Sequence, residues 1–241
     1  KPMVRIGKNP LLFHIIENFA NQGFQDFVLC TGHKEETITN FFLKEKKIFI
    51  IKKIKKSKKH IFFQYKNKKL EFNCNVVFTG SSTATGGRIK IAYEKLKIKE
   101  DFIMTYGDGL ANVNLKKLIN FHYKKKSYIT MTAVNPKHKY GILNIKNSKV
   151  LSFDDSKSKT TNHYINGGFF VISSEAINNI KKNKVFWEKE PLTHAIKNKK
   201  VFAYMHKSFW HSVDTLKDLK EINNFYKKGK MPWKINAKRF K

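Results

Sequence analysis

The chain has 241 residues, 41% of them hydrophobic and 14% aromatic, enough for one sizeable core and far more than a disordered polymer carries. Its formal net charge of +31 suggests a polyanionic partner. Of 49 basic residues, however, only Arg5, Arg88 and Arg239 are arginines, and readers of bases and phosphates favour the guanidinium fork.

The lysines therefore read as a solvated surface that accompanies a composition rich in Asn, Ile and Phe. No specific nucleic-acid partner is expected, and no membrane partner, since no apolar run approaches the roughly 20 residues of a bilayer span. The opening, Lys1-Pro2-Met3-Val4-Arg5, lacks the apolar stretch of a signal peptide. A start on Lys rather than Met reads as a fragment of a cytoplasmic protein whose beginning lies upstream. Helical periodicity over residues 11–20 follows Pro10 and stops near Gly23. Residues 27–30 form a continuous apolar run that suits a buried parallel strand, and residues 35–42 read as the next helix. Residues 44–69 hold twelve lysines against Glu45 alone, interleaved with apolar pairs; with its flanks, 44–75 reads as a basic β excursion. Cys30 and Cys74 fall in strand-like runs and read as reduced core thiols.

A strand over 76–78 runs into Thr79-Gly80-Ser81-Ser82-Thr83-Ala84-Thr85-Gly86-Gly87, and a helix is predicted over 88–96. A buried strand over 102–106 ends at Gly107-Asp108-Gly109, followed by a helix over 115–123 and a strand over 128–134. After Pro136 come short β pieces at 141–145, 149–153 and 168–172, then helices near 175–181 and 190–197. Alternating strands and helices imply a parallel sheet covered on both faces, here in one α/β domain over 1–241 with a mixed β second half.

Ligands of open α/β sheets bind beyond the carboxyl ends of the strands, where three segments stand out. In Thr83-Ala84-Thr85-Gly86-Gly87-Arg88, paired glycines, hydroxyls and a helix N-terminus suit a phosphate, although a plain strand-to-helix turn is the other reading. Asp108 between two glycines is an exposed carboxylate or an ordinary Asp-Gly turn. Asp214 in Trp210-His211-Ser212-Val213-Asp214-Thr215 is a second carboxylate or a helix cap. Together Asp108 and Asp214 suit one hard cation such as Mg²⁺, which leaves its other positions to water and phosphate. The chain holds no Walker A loop, no G-x-G-x-x-G, no H-E-x-x-H and no G-x-S-x-G.

The order of Lys1-Pro2-Met3-Val4, Thr85-Gly86-Gly87-Arg88-Ile89-Lys90, Thr105-Tyr106-Gly107-Asp108-Gly109, Ile165-Asn166-Gly167-Gly168-Phe169-Phe170-Val171, Trp187-Glu188-Lys189-Glu190-Pro191-Leu192 and Asp214-Thr215-Leu216-Lys217-Asp218 resembles the glucose-1-phosphate cytidylyltransferases. Tyr226 to Lys234 matches as well, so the likeness spans residues 1–234. The resemblance implies a doubly wound, mostly parallel, Rossmann-like nucleotidyltransferase fold. It implies that CTP and α-D-glucose 1-phosphate become CDP-glucose and pyrophosphate, in deoxysugar synthesis for surface polysaccharide, by an assembly of identical subunits. Carried over by motif, Asp108 and Asp214 hold Mg²⁺, and Lys1 contacts phosphate. Thr83, Gly86, Gly87, Arg88 and Gly107 face the nucleotide; Tyr140, Gly141, Asn166, Gly167 and Glu188 face the sugar. The sequence departs from the family twice. A Gly-rich loop, G-G-x-G-T-R, precedes Lys-Pro-Met in the family and is absent here, so the polypeptide alone is expected to lack part of its catalytic power. The family's Glu-Lys-Pro is replaced by Asp154-Asp155-Ser156-Lys157, leaving Lys157 or Lys159 as the sugar-phosphate lysine. The rival readings are a transferase of other nucleotide specificity and an inactive polyanion-binding module.

Overall fold

The computed structural model describes residues 1–44, 50–57, 59–66, 70–135, 142–154, 164–178, 180 and 184–235. Tyr140, Gly141, Lys157 and Lys159 lie outside the described residues. The elements follow in order as β1 (Arg5–Ile6), β2 (Asn9–Pro10), α1 (Leu11–Ala20), β3 (Asp26–Thr31), α2 (Glu35–Lys44), β4 (Ile50–Ser57), β5 (His60–Lys66) and β6 (Glu71–Phe78). Next come α3 (Thr85–Lys95), β7 (Phe102–Thr105), β8 (Gly109–Ala111), α4 (Leu115–Lys125), β9 (Ile129–Val134), β10 (Ile142–Lys146) and β11 (Lys149–Asp154). The chain continues through β12 (Ile165–Ile172), α5 (Ser174–Ile177), α6 (Glu190–Lys197), β13 (Val201–Met205), β14 (Trp210–Ser212) and α7 (Leu216–Lys227).

The larger sheet runs β10-β11-β13-β9-β12-β7, a second runs β3-β6-β5-β4, and β8 pairs with β14. The α/β class and the mixed second half are as expected. Among the described residues the parallel ladders are β3–β6 and β9–β13, and antiparallel pairings outnumber them. Hairpins return β4 to β5 and β5 to β6, while β12 runs against both of its neighbours, β9 and β7. Alternating periodicity cannot show this, because an apolar strand looks the same in either direction.

Helix α1 explains its unusual run of apolar residues by lying between two cores. Leu11, Ile15 and Phe19 pack with Leu110, Leu115 and Phe169, whereas Leu12, Phe13 and Ile16 pack with Phe42, Phe63 and Phe72. A third core covers the other side of the larger sheet around Phe170, Trp187 and Leu192. Strand β9 is buried throughout, as a strand covered on both faces must be. Strand β3 corrects the sequence reading. Its residues alternate between two faces: Phe27 and Leu29 pack inward, while Asp26, Val28 and Cys30 stay exposed. Cys74 is a core thiol and Cys30 is not.

Two helix starts matter for the site. Helix α3 begins at Thr85, so Gly86 and Gly87 belong to its first turn rather than to the loop. Helix α7 is capped by Thr215, whose hydroxyl accepts from Asp218 N while the Asp218 carboxylate accepts from Thr215 N, a reciprocal capping box. Asp214 is therefore left outside the helix, not used as its cap.

Candidate active site

Pairing of β8 with β14 brings the two aspartates together. Ser212 lies opposite Gly109, and one step further Val213 N donates to Asp108 O at 2.7 Å. Asp108 and Asp214, remote in the sequence, thus share one wall. Lys1 Nζ donates to Asp214 Oδ1 at 2.7 Å, and Ser212 Oγ donates to the other oxygen, Oδ2, also at 2.7 Å. Gly107 permits this arrangement, because a Cβ there would come within 2.9 Å of Pro2 Cγ; any side chain would push the Lys1-Pro2 segment off the turn. Burial, and then the nearby Asp214 charge, hold the Asp108 carboxyl above its ordinary pKa, against the pull of Lys1.

A cavity of about 180 Å³ opens beside these carboxylates, lined among others by Asn166, Gly167, Tyr106 and Trp210. Its far wall is a bulge in β12, where the pairing with β9 shifts between Asn166 and Phe170. Gly168 takes φ +76° there, Gly168 N donates to Asn166 Oδ1 at 2.8 Å, and Trp210 Nε1 donates to Gly167 O at 2.7 Å. A larger groove of about 280 Å³ lies between the N-terminal segment and α2, lined by Arg5, Thr37, Asn40 and Lys44 among others. Among the described residues no carboxylate lines it, so the smaller, acid-walled cavity is the candidate site.

Of the predicted residues, the structure brings Asp108, Asp214, Lys1, Gly107, Asn166 and Gly167 together. Glu188 is absent from the cavity lining and joins it indirectly, accepting from Tyr106 Oη and from Thr85 Oγ1. Sequence reasoning gave no part to Tyr106, Trp210 or Ser212. Tyr106 and Ser212 each stand two residues before an aspartate, so alternation along an extended chain was the available signal.

The paired-glycine turn, for which the sequence suggested a phosphate, packs in this structure against residues 185–187. Gly86 N and Gly87 N both donate to Val185 O, at 2.9 and 3.3 Å, and a Cβ on Gly86 would meet that oxygen at 2.8 Å. Gly86 lets residues 185–187 pack on the helix start. Thr83 Oγ1 donates to Thr79 O at 2.6 Å. The Arg88 guanidinium donates to Thr31 O and Thr79 Oγ1, each at 2.8 Å, tying the ends of β3 and β6 together. Anion donors read from the sequence are thus engaged within the fold.

Among the described residues no three His, Cys, Asp or Glu side chains cluster as metal ligands. Two carboxylates are the donor set, which suits a hard cation whose other positions go to water and phosphate. No helix among the described residues is long and apolar enough to cross a membrane.

A family model described as nucleotidyl transferase matches residues 1–229. Glucose-1-phosphate cytidylyltransferase of Salmonella typhimurium is 36% identical over 239 residues, covering 97% of this chain and 90% of its own. The Salmonella typhi enzyme of the same name is equally similar. Among solved structures, HddC from Yersinia pseudotuberculosis superimposes with a TM-score of 0.75 at 21% identity, covering 93% of this chain and 89% of that one; it shares the fold.

Proposed function

The chain belongs to the nucleotidyl transferase family and, within it, to the glucose-1-phosphate cytidylyltransferases, and from that premise we propose that it joins CTP and α-D-glucose 1-phosphate into CDP-glucose and pyrophosphate. The observation that carries this reading is the cavity where Asp108 and Asp214 share one wall beside Asn166 and Gly167, with Lys1 ion-paired to Asp214.

In this reading a sugar-phosphate oxygen attacks the α-phosphorus of CTP in line. The new P–O bond forms as the bond from the α-phosphorus to the α–β bridging oxygen breaks, and pyrophosphate leaves with that oxygen. No side chain needs to act as a nucleophile, so catalysis is positioning and charge neutralisation. Asp108 and Asp214 are the residues to hold a divalent cation, Mg²⁺ by their hard-oxygen chemistry. Burial, and then the Asp214 charge, raise the Asp108 pKa, and a cation between the two carboxylates would offset both. When bound, the cation supplies neutralisation of the phosphate oxygens. Lys1 exchanges Asp214 for a phosphate oxygen, and Ser212 keeps the carboxylate turned as it does so. Asn166 and Gly167 face the sugar, and Glu188 acts behind them. Thr83, Gly86, Gly87 and Arg88 shape the nucleotide side as supports. Assembly of identical subunits and a supply of deoxysugar precursors belong to the same reading.

A pyrophosphate-release assay on the full gene product, with glucose 1-phosphate and each of CTP, UTP and dTTP, tests it. The expected result is turnover with CTP that exceeds the other two. Preference for UTP or dTTP, or no release with any of them, refutes the proposal.

A further inference from the structure

We propose that Tyr106 is a positioning residue for the sugar side of the reaction, its hydroxyl clamped between Glu188 and Asn166 so that Asn166 presents its amide to the cavity in one orientation. The inference rests on the transfer reaction proposed above. Tyr106 Oη donates to Glu188 Oε1 at 2.5 Å and accepts from Asn166 Nδ2 at 3.2 Å. Glu188 Oε2 accepts from Thr85 Oγ1 at 3.1 Å, and Thr85 Oγ1 accepts from Trp187 N at 2.8 Å. Thr85 is the first residue of α3, so an unbroken line of hydrogen bonds runs from that helix start to the cavity wall.

Every bond in the line has a forced direction. A carboxylate only accepts, so the phenol must give its proton to Glu188, and its oxygen remains to accept from Asn166. At the other end of the Asn166 carboxamide, Oδ1 accepts from Gly168 N at 2.8 Å. The amide is thereby locked, with one N–H and one oxygen lone pair left over on a residue that lines the cavity. One donor and one acceptor on a single fixed amide suit the hydroxyls of a pyranose. Turned over, the same amide would set its oxygen against the Tyr106 oxygen and its NH2 against Gly168 N, losing both bonds.

The ring that carries the hydroxyl is itself held. Tyr106 packs edge-on against Phe170 with centroids 5.8 Å apart, and a Cβ on Gly168 would come within 2.8 Å of its Cδ2. Burial, then the Glu188 charge, push the phenol pKa upward, so the proton stays on the hydroxyl at physiological pH. Glu188 accordingly acts on the sugar through Tyr106 and Asn166, as a second positioning residue.

Steady-state kinetics on the full gene product tests this with Tyr106→Phe, which keeps the ring and removes the clamp. The KM for glucose 1-phosphate should rise about tenfold while the KM for the nucleotide moves less than about twofold, the scale of one lost hydrogen bond confined to one substrate. Discrimination against galactose 1-phosphate, the C4 epimer, should weaken by a similar factor. Glu188→Ala should behave like Tyr106→Phe, whereas Glu188→Gln, whose amide oxygen still accepts from the phenol, should keep most of the discrimination. A merely structural lesion would lower the active fraction and kcat without splitting the two KM values. Unchanged sugar-phosphate KM and epimer discrimination in Tyr106→Phe overturn the inference alone. Should that variant not fold, equal behaviour of Glu188→Ala and Glu188→Gln overturns it instead. A wild-type protein without transfer activity overturns the proposed function and this inference together.

Discussion

Replacing Arg88 with alanine separates the task that the sequence suggested for it from the task that the structure gives it. The guanidinium makes two charge-assisted hydrogen bonds of 2.8 Å, to Thr31 O and Thr79 Oγ1, and a marginal one of 3.5 Å to Ser81 O. Bonds of this kind contribute about 1.5–3 kcal/mol each at most when well buried. Two facts reduce the total. Arg88 is only partly buried, and its main acceptor keeps other partners, since Thr79 N and Thr79 Oγ1 also donate to Thr31 O, at 2.9 and 2.8 Å. No buried acceptor is orphaned, so the expected net loss is about 2–3 kcal/mol. At roughly 2–4 °C per kcal/mol for a chain of this length, the ligand-free Tm should fall by roughly 4–12 °C. Thermal unfolding without ligand, paired with calorimetric titration of CTP, measures both quantities on one preparation. Nucleotide affinity should change by less than about threefold, because the lost bonds are internal. An unmoved Tm together with a tenfold or greater loss of affinity would show that the guanidinium grips phosphate, and the strut reading would be wrong.

Asp108→Asn keeps the shape and removes a charge from the cavity wall, so under the proposed reaction turnover should fall by roughly 10²-fold or more; near-normal rates at saturating Mg²⁺ remove Asp108 from the mechanism. Burial lowers the pKa of His14, His122 and His206, so the unfolded chain takes up these protons more readily than the folded one. Their stabilisation is complete above about pH 6.5 and is lost as the pH falls below it. Urea midpoints measured downward from neutral pH should drop, and a level or rising midpoint contradicts the assignment. The charge of +31 carried almost wholly on lysine should bind any oligonucleotide at low salt, without sequence preference, and release it by about 0.2 M salt. Fluorescence anisotropy with two unrelated oligonucleotides checks this; binding that survives that salt and discriminates between them would favour a dedicated nucleic-acid function.

Periodicity and punctuation made much of the frame legible in one dimension. Apolar residues over 11–20 announced α1, and the run over 128–134 announced a strand, although only the structure shows that β9 is buried throughout. The aspartates were also legible, since glycines beside Asp108 and the break before Thr215 expose a carboxylate wherever the chain later goes. Their meeting was not. It depends on Ser212 lying opposite Gly109, a register between strands a hundred residues apart that neither strand carries by itself. The paired glycines show the same limit from the other side. Composition marks Gly86 and Gly87 as positions of close approach, but only the packed chain shows that the atom against Gly86 is Val185 O. Tyr106 was passed over because a tyrosine at a strand end looks like any other core residue until Glu188 and Asn166 arrive on either side of it. The sequence by itself determined which groups exist and which local conformations they permit. The tertiary structure alone decided their partners, because a hydrogen bond is directional and short-ranged and belongs to whichever groups the fold brings within about 3 Å.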